Sequence, residues 1–153
     1  MNNNQQPPSF KVIRIIHIAL CTGSTLFLVV ASSIKPGPVH TAIEPGDIPL
    51  LYVAVALAAM MAFVSGFLYH KKLAEINFSA PVSNRLTQYM SACIMRYAPL
   101  EGAALFNTAV WLLTGNLIAA MVAVAVILYL ISARPVKSKI ISDLKITYPD
   151  TLD

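Results

Sequence analysis

The sequence predicts an all-α membrane protein, four transmembrane helices arranged as two hairpins, on three observations. The 153 residues are 57% hydrophobic and only 12% charged, about half the charge of an ordinary soluble domain. Four apolar runs, near 12–34, 48–69, 87–113 and 116–133, approach or exceed the roughly 20 residues that a helix needs to cross a bilayer. Apart from Lys35 in the first connection, beside Glu44 and Asp47, the cations of the connections and ends fall on alternate sides. Lys11 and Arg14 precede the first run, Lys71, Lys72 and Arg85 lie between the second and third, and Arg134, Lys137, Lys139 and Lys145 follow the fourth. By the positive-inside rule both termini and the middle connection are cytoplasmic.

Composition also excludes some functions. Eleven Lys+Arg against seven Asp+Glu give +4, which reads as membrane orientation and not as nucleic-acid binding. The spans fill residues 11–134 and leave no room for a soluble domain, so any chemistry sits within or at the edge of the bilayer. Cys21 and Cys93 both fall inside spans, and without a C-x-x-C or Cys/His cluster they indicate neither a disulfide framework nor a metal site. They are expected to fill apolar space.

Met1 to Phe10 is polar and Pro-containing until its last residue, and is expected to be a disordered leader. The first span carries His17, Cys21, Thr22, Ser24 and Thr25 in its interior, too polar and too long for a cleaved signal peptide. Three prolines and two glycines predict turns in the connection 35–47, where His40 is expected to be solvated. Asp47 is placed to cap the second helix, with Pro49 in its first turn. That helix repeats small residues at Ala54, Ala58, Ala62 and Gly66, a stripe along which another helix can approach closely.

Leu86 to Leu113 would be about 42 Å as continuous helix at ~1.5 Å per residue, longer than the roughly 30 Å hydrocarbon core. Pro99 is expected to kink it, since it cannot donate to Met95 O. Thr114-Gly115-Asn116 then predicts a tight turn into the fourth span. Beyond Pro135, residues 135–153 form a tail in which Val136, Ile140, Ile141 and Leu144 share a face, predicting an amphipathic helix on the cytoplasmic surface. Trp111 and Tyr52 are expected at the outer interface, Tyr69 and Tyr129 at the inner one.

A repeat is visible at an offset of 79, with Ile15-Ile16-His17-Ile18-Ala19 aligned to Ile94-Met95-Arg96-Tyr97-Ala98, and Gly23 to Gly102. It predicts two parallel-related halves. The steps Ala19/Gly23 and Ala98/Gly102 are expected to pack the first helix against the third.

That packing would enclose a polar centre of His17, Thr22, Arg96 and Glu101. Charged groups at bilayer depth cost about 2.5–3.5 kcal/mol each on insertion scales, so they mark a working site or a packing lock. Arg96 and Glu101 are five residues apart and point about 140° away from each other on an ideal helix, off the favoured three and four spacings. No serine, cysteine or carboxylate pair has a base beside it, so catalysis has nothing to rest on.

The run Ala98-Pro99-Leu100-Glu101-Gly102-Ala103-Ala104-Leu105-Phe106 resembles the carboxylate-bearing helix of the rotary ATP synthase proteolipid, subunit c. The resemblance covers roughly 15 residues and implies an ion-carrying role for Glu101. It lacks the glycine-repeat partner helix, and Arg96 is foreign to it. The chain as a whole is similar to small four-helix membrane proteins of the bacterial inner membrane. The expected function is that of a non-enzymatic membrane subunit without cofactor or metal, associating with itself or with a larger complex in the lipid bilayer. The alternative is proton or monovalent-cation translocation through Glu101.

Overall fold

The computed structural model describes residues 10–34, 38–43 and 45–145. Five helices run in order: α1 Phe10–Ile34, α2 Ile48–Ala74, α3 Val82–Thr114, α4 Leu117–Ser132 and α5 Lys137–Asp143. Among the described residues there is no strand, only an isolated bridge between His40 and Asn116. Most of the leader and the end of the tail lie outside the described residues.

Local chemistry sets the helix ends. Pro81 starts α3, its carbonyl accepting from the N–H groups of Asn84 and Arg85. Gly115 ends it with φ 77°, the left-handed conformation that glycine adopts freely, and donates its N–H to Trp111 O. Asn116 then opens α4, its side chain accepting from Ile118 N–H at 3.0 Å. Asp47 stands just before α2 but makes no side-chain cap. Its carboxylate turns instead toward Asn116 Nδ2 at 3.4 Å and His40 Nε2 at 3.7 Å. Pro99 lies inside α3, which continues through it as one helix.

α1 and α2 are each long and apolar enough to cross a membrane, and α4 qualifies only together with α5, across a bend of 69°. Their outer faces present large apolar side chains, with Ile15 64%, Leu26 59% and Phe63 75% exposed. Such a surface suits lipid and would be a liability in water. By length and composition, two helices, or three with the bent pair, suit a membrane. α3 carries Arg85, Arg96, Glu101 and Asn107, and it packs against α1, α2 and α4. A helix wrapped in this way tolerates polar groups because its neighbours replace lipid.

Buried residues follow seam spacing. On α1 they are Ile13, His17, Ser24 and Ala31, and on α2 Leu51, Ala54, Ala58, Ser65 and Tyr69. This is close to the 3.5-residue repeat of helices packed at shallow angles. The expected pairing into two hairpins needs correction. α4 packs on α3, but α1 packs on α3 and α4 and at most marginally on α2. A duplicated hairpin would bring α1 to α2 as closely as α3 to α4, and the packing does not.

The tail is corrected as well. α5 does not lie with its apolar face on the bilayer surface, because Ile140 and Leu144 are fully buried in the same core as Tyr69, Tyr89 and Tyr97. Val136 and Ile141 stay exposed. Arg85 Nη1 donates to Leu144 O at 2.9 Å and fixes the end of α5 against α3.

Candidate functional site

The polar centre divides into three places. The first lies where α1 and α3 meet the end of α4. His17, 5% exposed, donates from Nε2 to Leu130 O at 2.9 Å. A carbonyl only accepts, so this bond fixes the proton on Nε2. Cys21 Sγ stands 3.9 Å from Nδ1 and 3.7 Å from Nε2. Tyr97 packs edge-on to the imidazole, centroids 4.9 Å apart, and donates its hydroxyl to Ala133 O at 3.2 Å. The last carbonyls of a helix have no intrahelical donor. Here α1 and α3 each add a side-chain donor, to Leu130 O, which also accepts from Ala133 N–H, and to Ala133 O.

The second place is the α5 end of the bundle. Tyr69 OH meets Tyr89 OH at 3.2 Å and donates to Asp143 Oδ2 at 3.4 Å. The Arg96 guanidinium lies over the Tyr69 ring, 4.9 Å from its centroid. Arg96 Nε is buried without a partner among the described residues.

The third is the opposite end. His40 exchanges backbone bonds with the α3–α4 turn, its N–H to Gly115 O and its carbonyl from Leu117 N–H. Its Nδ1 is 3.0 Å from Ala42 O and its Nε2 3.1 Å from Thr114 O. Asp47 Oδ2 lies 3.7 Å from the same Nε2. His40 is therefore docked and half-buried, where solvation was expected.

The sequence-predicted residues separate accordingly. His17 is buried at the α1–α3 seam. Glu101 is partly buried on α3. Arg96 turns away from it to α2, and among the described residues the two form no ion pair. Thr22 is exposed. Ala19, Gly23, Ala98 and Gly102 do not make the α1–α3 contact. All four are exposed, and a Cβ added at Gly23 or Gly102 would meet nothing within 4 Å. The seam instead runs along Ile13, His17, Ser24 and Ala31, and Gly23 is turned about 100° from Ser24 on the helix. Trp111 and Tyr69 are 5% and 4% exposed, so neither is a surface anchor, whereas Tyr52 and Tyr129 are exposed.

Several exposed hydroxyls on α1 bond within their own helix. Thr25 donates to Cys21 O, Ser32 to Leu28 O and Ser33 to Val29 O, each at 2.7–2.8 Å. Asn107, fully buried, went unnoticed in the sequence. It donates to Ala103 O at 2.9 Å and across the interface to Ala54 O at 3.2 Å. Ala54 lets α3 reach the α2 backbone, so the small-residue stripe was the available signal. Among the described residues no three His, Cys, Asp or Glu side chains gather as a metal site requires. Compared with protein-family models, curated proteins and solved structures, the chain matches none.

Proposed function

We propose that the protein is a non-enzymatic subunit of the bacterial inner membrane, crossing it four times with both termini cytoplasmic. It associates with itself or with a larger membrane assembly. One observation carries this reading: several buried polar groups bond to backbone or lie over rings, while Ser24 Oγ, Ser65 Oγ and Arg96 Nε have no hydrogen-bond partner among the described residues. His17 and Tyr97 hold the last carbonyls of α4, and Arg96 covers Tyr69. Such a network fixes helix register and leaves the outer faces for association. Ala19/Gly23 and Ala98/Gly102, exposed and four residues apart on each helix, offer the close approach that helix pairs use in lipid. The test is subunit counting by single-molecule photobleaching in vesicles. Gly23→Leu with Gly102→Leu should reduce oligomers to monomers without shifting the melting temperature. A wild-type chain that is monomeric and captures no partner rejects the reading.

A second reading is favoured by Glu101, which is partly buried and makes no hydrogen bond or ion pair among the described residues. A carboxylate without a fixed partner is available to a proton or a monovalent cation. Glu101→Gln should then abolish pH-driven flux in reconstituted vesicles while the melting temperature holds. Equal flux in both proteins removes this alternative.

A further inference from the structure

Where α1 begins and α4 gives way to α5, the surface opens into a cavity of about 450 Å³. Arg14, Arg134 and Lys137 line it, and among the described residues that line it there is no carboxylate. Arg14 and Arg134 are exposed and make no ion pair with any described residue. A second hollow of about 410 Å³ continues from the first, sharing Cys21, Thr22 and Ile131 and reaching Leu26 and Val29. Its wall is mostly apolar, and Thr25 on it donates to its own helix. A cationic mouth thus leads into an open, mostly apolar groove, a surface channel along α1.

The dimensions select the occupant. From Arg14 to Val29 the helix rises about 22 Å at ~1.5 Å per residue. One leaflet, headgroup included, is half of about 40–45 Å. The geometry points to an anionic phospholipid, its phosphate between Arg14, Arg134 and Lys137 and one acyl chain in the channel along Leu26 and Val29. A free phosphate would use the mouth and leave the channel without purpose. Basic pockets between helices at the cytoplasmic face are suited to such headgroups. The inference rests on the membrane reading above and is independent of which partner the protein joins.

The test uses full-length protein reconstituted in an equal mixture of phosphatidylcholine and phosphatidylglycerol, gently extracted, with bound lipid counted by native mass spectrometry. Wild-type protein should retain phosphatidylglycerol preferentially. Arg14→Gln and Arg134→Gln should each lower that preference about fivefold, while Arg14→Lys and Arg134→Lys keep most of it. Both arginines are exposed, so the melting temperature should not move. Lys71→Gln, away from the cavity, should leave the preference intact. An equal loss with Lys71→Gln would mean diffuse surface charge and overturn the site. Displacement of the lipid by soluble glycerol phosphate would overturn the acyl channel. Protein that enters vesicles but shows no preference rejects this inference alone, whereas protein that fails to enter them rejects the membrane reading with it.

Discussion

Trp111 Nε1 donates to Ser32 Oγ at 3.3 Å across positions that differ by 79, the offset at which the first and third spans align in sequence. His17 meets Tyr97 at nearly the same separation. The two contacts make α1 and α3 parallel neighbours in which aligned residues stand at the same depth. Depth register was therefore legible in the repeat, although the hairpin pairing it suggested was not.

This indole bond should be worth little by itself. Interhelical hydrogen bonds in membranes average about 0.6 kcal/mol, and Ser32 is exposed with its own bond to Leu28 O. Ser32→Ala should lower stability by roughly that amount. Trp111→Ala should cost about 3–5 kcal/mol through the lost packing of a buried aromatic. Denaturant titration in micelles separates the two, and similar losses would show that the bond dominates.

Loss of the groups that satisfy the end of α4 should be costlier than loss of the indole bond. Tyr97→Phe keeps the ring against His17 but leaves Ala133 O without its side-chain donor. His17→Ala removes the side-chain donor to Leu130 O, which keeps the 3.1 Å bond from Ala133 N–H. Tyr97→Phe should destabilise by about 1–3 kcal/mol, the range for a buried group left unsatisfied, and His17→Ala by about 0.5–1.5 kcal/mol for the lost hydrogen bond, beyond its lost packing. Hydrogen exchange should rise first around Leu130–Ala133. Uniform exchange along α4 would argue against a local role.

Outside the spans, Lys72 Nζ donates to Glu75 Oε2 at 2.7 Å where α2 ends. That bond, with the charge of Lys72, holds the Glu75 carboxyl below its ordinary range. A lowered folded value means that the contribution is present above the ordinary carboxylate value of about 4.3 and disappears as pH falls through the folded one. Glu75 is fully exposed to water, so the effect should show in titration and hardly in melting. Lys72→Met should move the Glu75 midpoint upward in a carboxyl-resolved NMR titration. An unchanged midpoint would remove Lys72 as its cause.

The sequence and the structure part company where hydropathy stops carrying information. Apolar runs located the long helices, but α2 continues to Ala74 and α3 begins at Val82, since backbone bonding persists after the side chains turn polar. Thr22 looked like a member of a polar site, yet it is exposed, and Thr25 beside it is exposed and bonds its own helix. Composition cannot distinguish a hydroxyl bonded to its own helix from one awaiting a ligand. Asp47 looked like a cap because it precedes Pro49. Its pull toward Asn116 depends on a residue 69 positions along the chain, with His40 nearer by. Which helix packs on which is equally non-local, because lipid and protein offer an apolar stripe nearly the same solvent.

The docking of α5 gives the most exacting prediction. Ile140 and Leu144 are 0% exposed, Arg85 bonds Leu144 O and Tyr69 reaches Asp143. Seven residues are too few to hold a helix alone, so α5 exists because the bundle receives it. Leu144→Ala should cost about 2–5 kcal/mol of local stability and expose the segment from Lys137 to Lys145 to trypsin. Cleavage after Lys137 and Lys139 should accelerate while the spans remain protected. The same segment lying on the bilayer would respond to lipid composition instead, with little change on losing one leucine. Faster cleavage that is independent of lipid therefore supports docking, and protection that depends on anionic lipid refutes it.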